Sequence, residues 1–442
     1  MWSANSFEVT TAQIVVDENR MEVPMQTKGK RSDKTIWVLV GLAASLLVPS
    51  IGQVHKYVGN GGIVLYLVLG SATVVAGYRY IWPVYLRYMT SAVALLLAIL
   101  TFIGFAAGLD IVYPLADSGF VGGGVDRDDG LNIVASALLN GHYPYYYKIL
   151  GGAPISPMPG AIVLSTPFVA MGSCAWQNLF WLFLLFVVTS WYFQDLRNGL
   201  LLFWAISGLS PIVLQEYLTG GDILANSIYV LLFTWLFFTC ISRQGTPTWG
   251  KLLSAVLFGI GLSSRANFLL IVPPVFSILV QKTEWKSALK WMSLALLSFC
   301  LMTGPFYLYS PEVFSSCLNQ QASWLARYDS LLPHAEIVIP LVAGLLSIGL
   351  SFQKMNLAKL FRNCAIIQAV PILSGAVLSI VYAGMSKCTL RIGYGLMFLF
   401  FGALSSWIFL NDDTRTRLPR AGGSDSGLNC KGDYSAPANL DR

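Results

Sequence analysis

An all-α, polytopic transmembrane helix bundle is the fold class this sequence predicts, and three observations predict it. Of the 442 residues, 55% are hydrophobic and only 11% are charged, where soluble domains carry about a quarter charged residues. A mean hydropathy of +0.63 excludes an ordinary cytosolic enzyme, and a disordered chain needs the opposite balance. Apolar runs near the length that crosses a bilayer, about 17–25 residues, recur along the whole chain.

Residues 1–34 are polar and of mixed charge, with no short apolar region and cleavage site after them, so they read as a disordered cytoplasmic tail rather than a signal peptide. Apolar runs at 36–54 and 62–82 predict an N-terminal hairpin, 35–87, and a third at 88–108 opens the main module, 88–410. Further spans are expected at 176–193, 199–215, 222–241, 251–264, 266–281, 290–309, 336–352, 364–384 and 391–410. The seventh and eighth form a tight pair turning at Ser263-Ser264-Arg265. The stretch 157–172 holds Pro159 and Pro167, which break or kink a helix, and the crossing parity turns on it. Lysine and arginine gather on the cytoplasmic side of membrane proteins. If 157–172 does not cross, 21 of the 28 basic residues lie inside; if it does, the inside count falls to 11. This predicts ~12 crossings, within a range of about 11–13, with both termini cytoplasmic. The tail 411–442, rich in Gly, Ser, Asp and Arg, reads as disordered.

That topology places ionisable residues outside. The large external segment 109–172 carries Asp110, Asp117, Asp126, Asp128 and Asp129. Glu216 and Asp222 end two spans, Arg265 ends a third, Arg327, Asp329 and His334 fall in a second external loop, 310–335, and Lys387 and Arg391 cap the last hairpin. Charges near hydrocarbon cost a few kcal/mol on insertion scales, so they more often mark a site than decorate a surface. After Gly122-Gly-Gly124, Asp128 or Asp129 can cap a short helix that ends at Gly141, with Ile133, Val134, Ala137 and Leu138 on one face. This predicts an amphipathic helix on the membrane surface. The run Tyr143–Tyr147 reads as an interfacial aromatic belt or a sugar-stacking platform. The seven cysteines show no CxxC and no pairing with histidine, so zinc has little support. No P-loop, GxGxxG or HExxH is present.

The external segment resembles the GT-C superfamily of multi-spanning glycosyltransferases. The likeness rests on Asp128/Asp129, on Leu139-Asn-Gly141-His-Tyr-Pro144-Tyr145, and on Pro154-Ile-Ser-Pro157-Met-Pro159-Gly160. Gly220-Gly221-Asp222 and Ser264-Arg265 are similar to the later marks of its mannosyl-type branch. The resemblance covers roughly 88–410 and departs from the family in two ways: the loop follows a third span, and the aspartate is one of a cluster. It implies transfer of a sugar, with inversion, from a polyprenyl-phosphate donor to a hydroxyl of a glycan, lipid or protein acceptor at the non-cytoplasmic face, without nucleic acid. A hydroxyl is a poor nucleophile and needs a carboxylate base: Asp128 or Asp129, with Asp126 behind them. The departing lipid phosphate needs fixed cations: Arg265 and Arg391 first, then Lys387 and His334. Asp222 is expected to orient the acceptor or base, or to cap its helix, and Tyr145 to contact the sugar. Asp126-Arg-Asp128 is formally a metal-binding DxD, yet the similar GT-C members are generally metal-independent, so no cofactor is expected. Cys317 and Cys388, both external here, could pair in an oxidising compartment. The rival classes are a secondary transporter or flippase for a lipid-linked or anionic solute, and a structural subunit.

Overall fold

A computed structural model describes residues 28–118, 126–149, 152, 154–384 and 393–417. The helices are α1 (Lys28–Leu47), α2 (Ile51–Ala76), α3 (Trp82–Tyr88), α4 (Ser91–Asp117), α5 (Asp126–Leu139), α6 (Pro159–Ala170), α7 (Trp176–Phe193), α8 (Leu196–Leu209) and α9 (Pro211–Leu218). They continue with α10 (Asp222–Ser242), α11 (Thr248–Leu262), α12 (Val272–Lys282), α13 (Trp285–Tyr309), α14 (Pro311–Ala326), α15 (Ala335–Ser351), α16 (Leu357–Ala383) and α17 (Leu396–Arg417). Among the described residues there is no β-strand, only an isolated bridge between Lys148 and Pro154. The chain is therefore an all-helical, multi-pass membrane protein. In lipid a backbone must satisfy its own polar groups, and helices do so within one segment.

Seven helices among the described residues are long and apolar enough to cross a bilayer, or eight if the bent pair α8–α9 is one span. Four expected crossings coincide with shorter pieces or with a shared helix, so length and composition alone do not reach twelve. Segment α6 has 12 residues, about 18 Å at 1.5 Å per residue, too short to cross by itself. The first long helix, Asp33–Tyr88, contains Gly59 at φ +76°. A Cβ on Gly70 would stand 2.6 Å from the Leu47 side chain. In one straight helix those positions would be about 34 Å apart, so the chain doubles back at Gly59 into the expected hairpin.

Several boundaries differ from the sequence expectation: α4 runs on to Asp117, past the end expected at 108, so that Asp110 and Asp117 lie in this helix rather than in an external loop, and α16 begins at Leu357, ahead of 364. Helix α1 begins at Lys28, inside the segment read as a tail, and α17 continues past 410 to Arg417. Polar residues extend a helix beyond the bilayer because its hydrogen bonds are local, whereas the hydropathy pattern stops at the hydrocarbon edge. The rest of both tails, 1–27 and 418–442, lies outside the described residues.

The centre of the bundle is α10 and α17, with 78% and 89% of their apolar stretches buried. Small residues let backbones approach: a Cβ on Gly402 would strike Ser45 of α1, and one on Gly259 would strike α13 at Ala295. Between α8 and α9 the chain bends by 86°. The groups freed there are satisfied by the hairpin, since Tyr66 donates to the Leu209 carbonyl at 2.7 Å and the Ile212 amide donates to Ser50 Oγ at 3.2 Å. This break aims α9 so that the turn after it meets α5.

Candidate functional site

The site forms where the start of α5, the turn between α9 and α10, and the turn between α11 and α12 come together. Helix α5 begins at Asp126, so Asp128 and Asp129 sit within its first turn rather than capping it from outside. Its buried face is Leu131, Val134 and Ala135, joined in one apolar cluster with Ile155, Met158 and Ile162. One face of the helix thus packs on the 155–162 segment and α6, and the expected Ile133 is only half-buried. The reason is Pro157-Met158-Pro159-Gly160, which docks beneath it: the amides of Met158 and Gly160 donate to the carbonyls of Ser264 and Ser263, at 3.3 and 3.1 Å. Gly160 is required there, because any Cβ would collide with Ile260 and Ser263.

Asp128 is 2% exposed. Its Oδ2 accepts a 3.0 Å hydrogen bond from the Tyr113 hydroxyl on α4. Burial pushes its carboxyl up to about 7, against the Tyr113 hydrogen bond, and the neighbouring charges of Asp129 and Asp117 add to the rise. The Tyr113 hydroxyl in turn accepts from Ser173 Oγ at 3.2 Å and from Asn132 Nδ2 at 3.5 Å, and Asn132 is fixed by the Cys174 amide at 2.8 Å. Burial also raises the Cys174 thiol, with Asp128 the next cause, so it stays protonated and gives its hydrogen to the Asp128 carbonyl.

The turn Gly220-Gly221 lies against this corner. Gly220 has φ +71°, and a Cβ on it would stand 2.7 Å from the Tyr113 ring and 3.2 Å from Asp128 Cβ. The Asn178 amide holds the turn by donating to the carbonyls of Glu216 and Gly221, at 3.2 and 3.1 Å. The next residue, Asp222, begins α10 and is buried. Its Oδ2 forms an ion pair with Arg265 Nη2 and accepts from Asn226 at 3.0 Å. Arg265, at the start of the 3-10 turn Ala266–Ile271, is 4% exposed. A carboxylate at a helix N-terminus paired with a planar guanidinium is a strong, charge-assisted arrangement.

The structure therefore brings together Asp128, Asp129, Asp222 and Arg265 on one side of the bundle. Asp126 lies in the same helix turn. Tyr145 is not an exposed platform: its ring is buried among Leu131, Val134 and Phe314, and its hydroxyl donates to the Pro157 carbonyl at 3.0 Å. His334 is exposed in a loop of its own, its amide bound to Asp329 and its ring 3.9 Å from Glu336. Lys387, Arg391 and Cys388 lie outside the described residues, and Cys317 is a buried free thiol. The carboxylate oxygens of Asp117, Asp128 and Asp129 lie within 4.8 Å of one another, a different set from Asp126-Arg-Asp128. We assign no ion to them.

Sequence reasoning missed Tyr113 and Asn178, and it placed Glu216 at the end of a span without giving it a role. Tyr113 precedes Asp117 by one helical turn on α4, a spacing that puts both on one face. Glu216 is 2% exposed and lines the Gly221 side of the turn; three residues of sequence separate it from that turn. Compared with known proteins, the chain matches no family model, no curated protein and no solved structure.

Proposed function

We propose that this protein is an inverting membrane glycosyltransferase of about 12 crossings, moving a sugar from a polyprenyl-phosphate donor to the hydroxyl of a glycan, lipid or protein acceptor at the non-cytoplasmic face. Asp128 takes the proton of the acceptor hydroxyl; the hydroxyl oxygen bonds to the anomeric carbon; the bond from that carbon to the lipid phosphate breaks, and the phosphate leaves with the electron pair. Asp222 orients Arg265, whose guanidinium holds the departing phosphate. With this positive charge in place the reaction needs no resident metal.

The observation that carries the reading is the packing of Asp128 against the turn that leads into Asp222 and Arg265. It sets a buried carboxylate, raised to about 7, beside a corner that holds a guanidinium. General bases work best with a pKa near the operating pH. The test is incubation of the protein in lipid nanodiscs with labelled polyprenyl-phosphate sugars and an acceptor pool. Wild type transfers label, with or without chelator, and Asp128→Asn loses about 10²–10⁴-fold of the rate while inserting normally. Full transfer by Asp128→Asn rejects the base; loss of transfer with chelator rejects metal independence.

One observation favours the second reading, a secondary transporter or flippase for a lipid-linked or anionic solute. The broken pair α8–α9 ends beside a buried ion pair, and discontinuous helices beside charged groups are how transporters build binding sites. Sealed proteoliposomes that carry the labelled lipid across the bilayer without transferring its sugar select that reading.

A further inference from the structure

A hydroxyl has one hydrogen to donate and two lone pairs to accept with. At Tyr113 the surroundings specify all three directions. Ser173 Oγ and Asn132 Nδ2 approach the phenol oxygen as donors, and Asp128 Oδ2 approaches as an acceptor. Asn132 cannot reverse its role, because its Oδ1 is held by the Cys174 amide. Ser173 Oγ itself accepts from the Ala175 amide at 3.1 Å, which leaves its hydrogen for Tyr113. The phenol hydrogen is thus directed at Asp128.

The ring is also fixed sideways. Gly220, in a left-handed conformation, leaves the ring just enough room, so the residue that ties α9 to α10 also seats Tyr113. Tyr113 sits on a long apolar helix with exposed lipid-facing neighbours, where a tyrosine has no need to turn its hydroxyl inward.

We propose that Tyr113 is the positioning residue for Asp128: it holds the carboxylate by Oδ2, keeps the anion available in a buried corner, and transmits the placement of the Gly220–Gly221 turn to it. The proposal rests on the reading of Asp128 as the base for its catalytic meaning, while the positioning itself is testable without turnover. Around Asp128 the titratable groups are Asp129 on its own helix, Asp117 and Tyr113 on α4, and Cys174 in the loop before α7. Glu216 and Asp222 flank the adjoining turn.

A buried carboxylic acid reacts with an apolar carbodiimide only while protonated, so the pH at which Asp128 loses its label, read by peptide mass spectrometry, reports its titration in the intact protein. In Tyr113→Phe that midpoint is expected to rise by about 1–2 pH units, the worth of a hydrogen bond to a charged acceptor. Ser173→Ala, which loosens the phenol without removing it, is expected to give a smaller rise in the same direction and serves if Tyr113→Phe does not fold. The acid limb of the transfer rate should move with the label. A midpoint unchanged in both variants overturns the proposal even if wild type transfers sugar. A shifted midpoint in a protein that never transfers sugar retains the positioning and removes only the reading of Asp128 as a sugar-transfer base.

Discussion

Two corners of this bundle each bury an aspartate in the first turn of a helix, and they hold it in opposite ways. At the α10 corner Asp222 faces the guanidinium of Arg265 and the amide of Asn226. At the α5 corner the contact to Asp128 is a phenol, and its acidic neighbours Asp129 and Asp117 push its carboxyl upward. The helices behind them differ as well. Helix α4, which supplies Tyr113, is the most apolar of the spanning helices, yet only 17% of its apolar stretch is buried, against 78% for α10. In a membrane the most hydrophobic helix is the one lipid surrounds, and the helix that can carry Asp, Asn, Ser and Thr is the one that protein surrounds. One corner pairs its carboxylate with a cation; the other sets its carboxylate among further acids.

The comparison breaks most visibly at Arg265. Its replacement by alanine leaves Asp222 charged and buried, and removing one partner of a buried pair costs about 3–5 kcal/mol. Denaturant unfolding in detergent micelles should show that loss, and Asp222→Asn in the same chain should recover most of it. A single variant as stable as wild type would mean that the ion pair contributes nothing to the stability of the α10 corner.

The coupling between the corners is sharpened by Gly220→Ala. A left-handed conformation costs a residue with a side chain about 1–3 kcal/mol, and here the new methyl also meets the Tyr113 ring. Gly208→Ala is the control, because its Cβ meets nothing within 4 Å and lies inside α8; there alanine is expected to be neutral or slightly stabilising. Equal thermal midpoints for the two variants would separate the α5 corner from the turn.

Stability is also expected to depend on pH. Asp128 is raised in the folded protein to about 7, from about 4 in an unfolded chain. The folded state therefore holds the proton more tightly, and the stability this lends is full below about pH 4 and lost as the pH rises through about 7. Wild type is expected to lose more thermal stability between pH 5 and pH 8 than Asp128→Asn does. Parallel losses would place the titration on another group.

Legibility in the sequence followed the range of the forces involved. Helices and turns could be read because they depend on nearest neighbours along the chain. The turn at Ser263-Ser264-Arg265 and the glycine pair before Asp222 occur where the sequence placed them. Tyr145 and His334 misled because an aromatic run or an external histidine says nothing about what will pack against it. Tyr145 became a buried anchor on Pro157, and His334 joined a separate loop. Tyr113 was hidden because an apolar helix with one tyrosine near its end reads as an interfacial anchor.

The recurrence of long apolar runs alone determined that this chain is an all-helical, multi-pass membrane protein, because lipid admits only helices or closed barrels and runs of about 20 apolar residues fit helices. The tertiary structure decided which of the aspartates became buried, which received a guanidinium and which a phenol. Those outcomes depend on contacts between residues such as Tyr113, Asp128 and Gly220, which are far apart in the chain and are joined by a helix break whose angle the hydropathy pattern does not encode.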